Sequence, residues 1–217
     1  MRRLLRDNAL SIVVFGLFAI ILIAQSAVGM LEHNEERAGH GEPPVGYVDY
    51  LASGDFGESV FENWESEFLQ IGALVILTAF LIQRGSSESK KPGEDRVDRR
   101  PRKRADAPWP VGRGGWVLRI YENSLSIALL ALFVVSFALH AVTGAAAYND
   151  DQAQHGGGGV TALEYVLTPR FWFESLQNWQ SEFLAVGVLA VLTIYLRQKG
   201  SPESKPVDSP IGETGSG

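Results

Sequence analysis

The sequence predicts an all-α membrane fold, a four-helix bundle made of two tandem, parallel helical-hairpin repeats. Three observations predict it: a repeat held at one offset, four separated apolar runs, and basic residues confined to alternate connections. Asn63-Trp64-Glu65-Ser66-Glu67-Phe68-Leu69 falls on Asn178-Trp179-Gln180-Ser181-Glu182-Phe183-Leu184, an offset of 115 residues. The same offset sets Asn8, Leu10, Ser11 and Ile12 on Asn123, Leu125, Ser126 and Ile127. It carries Leu81, Gln83, Gly85, Ser86, Glu88, Ser89 and Lys90 onto Leu196, Gln198, Gly200, Ser201, Glu203, Ser204 and Lys205, and it sets His40 on His155 inside loops that otherwise diverge. One offset over the whole length means one unit duplicated in tandem.

The chain is 217 residues, 46% hydrophobic and 20% charged, and its mean hydropathy of +0.03 conceals a segregated pattern. The apolar residues fall in four runs with the charges between them. The first repeat, residues 1–86, opens with Leu10 to Leu31, long enough to cross a bilayer because about 20 helical residues rise roughly 30 Å. A basic start followed by Ala24-Gln25-Ser26 also resembles a cleavable signal peptide. Its repeat partner, Ser124 to Val142, lies mid-chain, and cleavage would leave an odd number of spans, so a retained span is expected. The next apolar run, Phe68 to Ile82, is too short to cross by itself. A helix must therefore begin well upstream, bringing Asn63 to Glu67 to the hydrocarbon boundary, where the Trp64 indole is stable.

The stretch 87–115 is a polar cytoplasmic linker whose basic core is Arg99-Arg100-Pro101-Arg102-Lys103-Arg104. Two readings of it stand. It attracts anionic lipid headgroups, or it is a disordered tether whose charges set topology. The acids Glu94, Asp95, Asp98 and Asp106 weaken its field and favour the tether. With a net charge of −6 and no folded basic surface, nucleic acid is not an expected partner. The second repeat, residues 116–201, repeats the pattern with Leu125 to Ala147 and Phe183 to Leu196. The tail, residues 202–217, is rich in Ser, Pro and Gly and is expected to be disordered.

Orientation follows from charge. Of the 19 Lys and Arg, only Arg37 and Arg170 lie in the two loops expected outside, and the first of those loops, Glu32 to Glu67, holds ten acids. The positive-inside rule puts both termini and the linker in the cytoplasm and points both hairpins the same way. The expected location is the cell membrane, multi-pass, with membrane lipids as neighbours. A homo-oligomer or an unidentified protein is the other partner class the sequence allows.

Chemistry-bearing motifs are sparse. There is no cysteine, which excludes disulfides and thiolate metal sites. His33, Glu35, Glu36 and His40, and in the second copy Asp150, Asp151 and His155, offer oxygen and imidazole donors, but their spacing matches no metal motif and they read as solvated helix ends. Gly156 to Gly159 has no strand before it and no lysine after it, so it is no phosphate loop. Neither a metal nor a cofactor is expected. With no nucleophile–base arrangement and small soluble parts, no enzyme is expected either.

The informative polar residues lie in or beside the spans. Residue counting puts Gln25, Glu67, His140 and Glu182 at one height, about 22 Å above the inner boundary. A carboxylate there has reason to turn inward and find a partner. The expected intramembrane polar cluster is Gln25, Asn63, Glu67, His140, Asn178 and Glu182, with Glu67 meeting Gln25 and Glu182 meeting His140. It reads either as hydrogen-bonded clamps that fix helix register or as a proton- or cation-attracting layer. Gly72 and Gly187 lie off these stripes and are expected to allow a second close contact.

The Asn-Trp-x-Ser-Glu-Phe-Leu segments, the Leu-x-Gln-[Lys/Arg]-Gly-Ser-x-Glu-Ser-Lys segments and the Asn-x-Leu-Ser-Ile starts resemble a bacterial family of uncharacterised membrane proteins, defined only as a domain of unknown function. The resemblance spans nearly the whole chain. It implies a bacterial plasma-membrane location and carries over no catalytic residue, substrate or cofactor. The function expected is a non-enzymatic interaction or envelope-associated role, with a small proton or cation channel or transporter, acting as an oligomer, as the alternative.

Overall fold

A computed structural model describes residues 2–91, 93 and 96–215. The expected linker acids Glu94 and Asp95 lie outside the described residues. All the regular structure among the described residues is helical: α1 (Arg2–Asp7), α2 (Ala9–Gly39), α3 (Tyr47–Leu51), α4 (Gly54–Phe80), α5 (Trp109–Arg113), α6 (Gly115–Glu122), α7 (Ser124–Gln154), α8 (Ala162–Val166) and α9 (Pro169–Tyr195), with a 3-10 turn at Arg96–Asp98. The bounds of α7, α8 and α9 are those of α2, α3 and α4 shifted by 115 residues. The two 31-residue helices, α2 and α7, are long and apolar enough to cross a membrane. Helices α4 and α9 begin at Gly54 and Pro169, well ahead of Phe68 and Phe183, as the short apolar runs require.

The chain divides into two compact units, Met1–Phe61 with Leu139–Phe171, and Glu62–Ala138 with Trp172–Gly217. The expected boundaries at 86/87, 115/116 and 201/202 follow the repeat, whereas each compact unit takes part of both repeats. The reason is that equivalent segments of the two copies pack on each other within a unit.

In the first unit the two copies build the same elbow twice. Asn34 Nδ2 donates to Val45 O at 3.1 Å and its Oδ1 accepts from Val45 N at 2.8 Å. The equivalent Asn149 makes the same two bonds to Val160, at 2.9 and 2.6 Å. These bonds hold the loop back against its long helix by satisfying backbone groups that no regular structure reaches. Ser53 and Thr168 then cap α4 and α9, each accepting at 3.3 Å from the backbone N–H three residues on, Phe56 and Phe171. Pro169 follows Thr168 as the first helical residue, where its missing N–H costs nothing.

In the second unit the duplicated Gln-x-Gly-Ser-x-Glu-Ser-Lys segments fold into the same turn. Gly85 and Gly200 sit at φ +88° and +86°, a conformation that favours glycine. Ser89 Oγ accepts from Gln83 N at 2.8 Å, and Ser204 Oγ from Gln198 N at 2.9 Å. The described part of the tail is built against the first of these turns and differs from the disordered expectation. Gly85 N donates to Thr214 Oγ1 and Gly215 N to Ser86 O, both at 2.9 Å. Lys205, almost fully enclosed, donates its Nζ to Pro210 O, Ile211 O and Glu213 O at 2.9–3.3 Å. Three carbonyls around one ammonium turn a low-complexity stretch into a fixed loop. In the linker, Lys90 Nζ bridges Ala79 O and Asp98 Oδ1, while Arg99 to Arg104 are exposed.

Candidate functional site

The polar centre of the first unit is assembled by small residues. A Cβ placed on Gly54 would strike the backbone of Ala146 and Ala147, and one on Gly57 would strike Thr143. The start of α4 therefore lies directly on α7, and the residue after Gly57 is carried in with it. That residue is Glu58, 12% exposed at its side chain. On the same helix, Gly144 makes room for the Tyr165 ring, which is fully buried on α8.

These approaches converge on one carboxylate. Tyr165 Oη donates to Glu58 Oε1 at 2.8 Å, and Arg170 Nη2 lies 3.9 Å from Glu58 Oε2. A ring nitrogen of His140 lies within 4.8 Å of a Glu58 carboxylate oxygen. His140 is fully buried and stacks on Phe171, with ring centroids 4.6 Å apart and planes 27° apart. Phe171 in turn meets Tyr165 edge to face at 5.6 Å. A carboxylate, a phenol, an imidazole and a guanidinium thus share one small volume. Such a group can hold a proton or a cation, and a neutral Glu58 could also donate.

The same unit opens into a basin of about 640 Å³. Its lining includes Glu36, Glu42, Asp49, Asp55, Asp150 and Asp151, against Arg37, Arg170 and His33. Arg37 is paired with Glu42 at 2.9 Å and Arg170 with Asp151 at 3.5 Å. Asp55 meets His33 at 2.7 Å. Burial pushes the Asp55 carboxyl above the usual aspartate range, and the Asp150 and Glu36 charges add to the rise, while His33 opposes it. The opposite case is Glu164 at the start of α8, held below the usual range by the Thr161 backbone and hydroxyl of a capping box.

The expected cluster is distributed differently. Gln25 is exposed and donates to Ser59 Oγ at 3.4 Å, where the sequence paired it with Glu67. Asn63 and Glu67 are exposed on α4, while Asn178 and Glu182 are half-buried on α9. Only His140 is fully enclosed, and the acid that meets it within its unit is Glu58. Residue counting along a helix sets height, but the face is set by what packs, and the small residues Gly54 and Gly57 turn Glu58 inward. One heptad on, Glu65 is fully buried in the second unit and accepts from Trp179 Nε1 at 3.0 Å. Trp179 is therefore a half-buried donor. Aromatic neighbours complete its setting, with Phe133 at 6.2 Å and Trp172 at 6.2 Å. Gly72 does allow a close contact, since a Cβ there would meet Leu129 Cβ at 3.5 Å, whereas Gly187 has nothing within 4 Å. The Gly54-x-x-Gly57-Glu58 pattern was the signal that could have found the site.

A family described as Domain of unknown function (DUF6766) matches residues 1–216. The chain belongs to that family. No curated protein and no solved structure matches it. The DUF6766 match spans both repeats, so the polar site and its duplicated scaffold lie inside a single family domain.

Proposed function

We propose that this DUF6766 chain is a multi-pass protein of the bacterial plasma membrane, with both termini cytoplasmic, and that its role is non-enzymatic: an interaction or envelope-associated function exerted through the polar basin of its first unit. The observation that carries the reading is the surface of α2 and α7. Their most apolar windows have a mean hydropathy of 2.5 and are only 6% and 17% buried. Leu10, Phe15 and Ile20 on α2, and Leu125, Val134 and Val142 on α7, stand exposed. Surfaces of this size and continuity are stable against lipid chains and not against water. Helices α4 and α9 complete two parallel hairpins in this reading. The exposed arginines of Arg99 to Arg104 face anionic headgroups on the cytoplasmic side.

The test uses the absence of native cysteine. Single cysteines at the exposed positions Ala38, Ala105, Ala153 and Asp208 are probed with a membrane-impermeant thiol reagent in intact and permeabilised cells. Ala38→Cys and Ala153→Cys should label in intact cells, and Ala105→Cys and Asp208→Cys only after permeabilisation. Labelling of Ala105→Cys from outside would overturn the topology.

A second reading, a small proton or cation channel working as an oligomer, is favoured by one observation, the enclosed His140 beside the Glu58 carboxylate. Buried ionisable groups at membrane depth often mark ion pathways. Its test is proton or cation flux into proteoliposomes, which should disappear in Glu58→Gln. Flux at the protein-free level for the wild type would exclude it.

A further inference from the structure

The histidines that the repeat sets in register, His40 and His155, face each other in the first unit with ring centroids 5.9 Å apart. We propose that they form a two-imidazole site for a zinc-class divalent cation. Each comes directly after the end of a 31-residue helix, His40 after α2 and His155 after α7. Each Nδ1 lies within hydrogen-bond distance of the carbonyl four residues back, Glu36 O at 3.1 Å and Asp151 O at 2.9 Å. A carbonyl can only accept, so Nδ1 carries the proton in both rings and Nε2 keeps its lone pair. A backbone carbonyl on the far nitrogen is the arrangement that fixes the tautomer and orientation of metal-binding histidines. Both copies have it.

The spacing suits a shared ion. With a metal–nitrogen distance of about 2.0–2.1 Å, an imidazole centroid stands roughly 3.2 Å from the ion it binds. Centroids at the observed 5.9 Å then subtend an angle of about 135° at the metal, and closing them by about 0.7 Å gives the tetrahedral value. The rings stand edge to face at 78°. Both side chains are exposed, which leaves the rings room to turn their Nε2 atoms toward one ion.

The surroundings favour a cation. Both rings sit at helix C-termini, where the helix dipole is negative. The Asp151 carboxylate is 3.4 Å from His155 Nδ1, and acids outnumber bases in the adjoining basin. Water would complete the coordination. Imidazole with oxygen donors suits zinc, nickel and copper rather than calcium or magnesium. The site needs both copies of the repeat, and it does not rest on the topology or role proposed above.

The experiment is zinc binding to the full chain, purified in detergent without a polyhistidine tag, stripped with chelator and titrated against a chromophoric zinc indicator. One zinc per chain is expected. Affinity should fall at least tenfold in His40→Ala and in His155→Ala, and stay at the wild-type level in His33→Ala. Zinc should also raise the unfolding temperature of the wild type and leave that of the two variants unmoved. Metal-free melts matching the wild type show that the variants are folded. No zinc bound at micromolar concentration overturns the proposal. So does wild-type affinity in His40→Ala and His155→Ala, and so does a site lost in His140→Ala instead, which would assign the ion to the Glu58 and His140 pair.

Discussion

Gly29→Ala tests how tightly the duplicated elbow is packed. Gly29 lies on α2, and a methyl group there would collide with Tyr50 Oη and lie 3.1 Å from Tyr50 Cζ. The tyrosine cannot step aside freely. It is 5% exposed, with its ring 5.6 Å from Phe56 and 5.5 Å from His33. Overpacking of this kind costs about 1–3 kcal/mol, while replacing a helical glycine by alanine returns up to about 1 kcal/mol. The net expectation is a loss of roughly 1–2 kcal/mol, which for a chain of this size lowers the melting temperature by about 2–8 °C.

The decisive measurement is the double mutant. Tyr50→Phe removes the colliding oxygen and leaves only the tight approach to Cζ, so Gly29→Ala should be close to neutral in that background. The coupling should amount to about 1–2 kcal/mol in detergent melts, within the range found for residues in contact. The repeat supplies a built-in control. At Gly144 the first atom a methyl group meets is the ring carbon Tyr165 Cε1 at 2.5 Å, with Glu58 Oε1 at 2.9 Å. Removing the Tyr165 hydroxyl relieves neither contact, so Tyr165→Phe should not rescue Gly144→Ala. Equal destabilisation by Gly29→Ala with and without the Tyr50 hydroxyl would refute the packing argument.

Three other sites give equally direct tests. Because the folded state raises the Asp55 pKa, the stability linked to this group is present at pH below the ordinary aspartate value and is lost as pH rises through the raised one. Asp55→Asn should therefore melt above the wild type at neutral pH, with the difference vanishing as pH falls toward about 4. Glu58→Leu removes the acceptor of the buried Tyr165 hydroxyl and should cost about 1–3 kcal/mol, whereas Glu58→Gln keeps an oxygen there and should cost far less in the same melts. Lys205→Met should release the loop around residues 206–215, read as faster proteolysis of the tail and faster exchange of the Gly85 and Gly215 amides.

The sequence made the helices and the duplication legible because both are written at long range. Phe68 to Ile82 is too short to cross a bilayer, and that deficit alone implied a helix starting upstream, as α4 does at Gly54. Height along a helix was equally legible, since it needs only counting. The facing direction was not. Glu67 and Glu65 differ by two positions, about 200° around a helix, and in the first unit the packing of Gly54 and Gly57 on α7 carries Glu58 inward. The tail was misread for a different reason. Its composition of Ser, Pro and Gly is that of an unstructured segment, but it carries the second copy of the Gln-x-Gly-Ser-x-Glu-Ser-Lys turn, and Lys205 gathers residues 210–213 around its ammonium.

The two copies share a scaffold and differ in the chemistry it carries. The scaffold residues agree between copies: Asn34 with Asn149, Gly29 with Gly144, Tyr50 with Tyr165, Phe56 with Phe171. Around that scaffold the chemistry has diverged. Glu58 is matched by Phe173, His33 by Tyr148, and Asp55 by Arg170. The His33–Asp55 contact at 2.7 Å accordingly returns in the second copy as Arg170 over the Tyr148 ring, 5.8 Å from its centroid. The arginine that stands in the place of an acid reaches Glu58 and Asp151, and the phenylalanine that stands in the place of Glu58 is exposed. His40 and His155 are alike in both copies, and their rings face each other 5.9 Å apart. The zinc site proposed between these equivalent residues would gain from that symmetry.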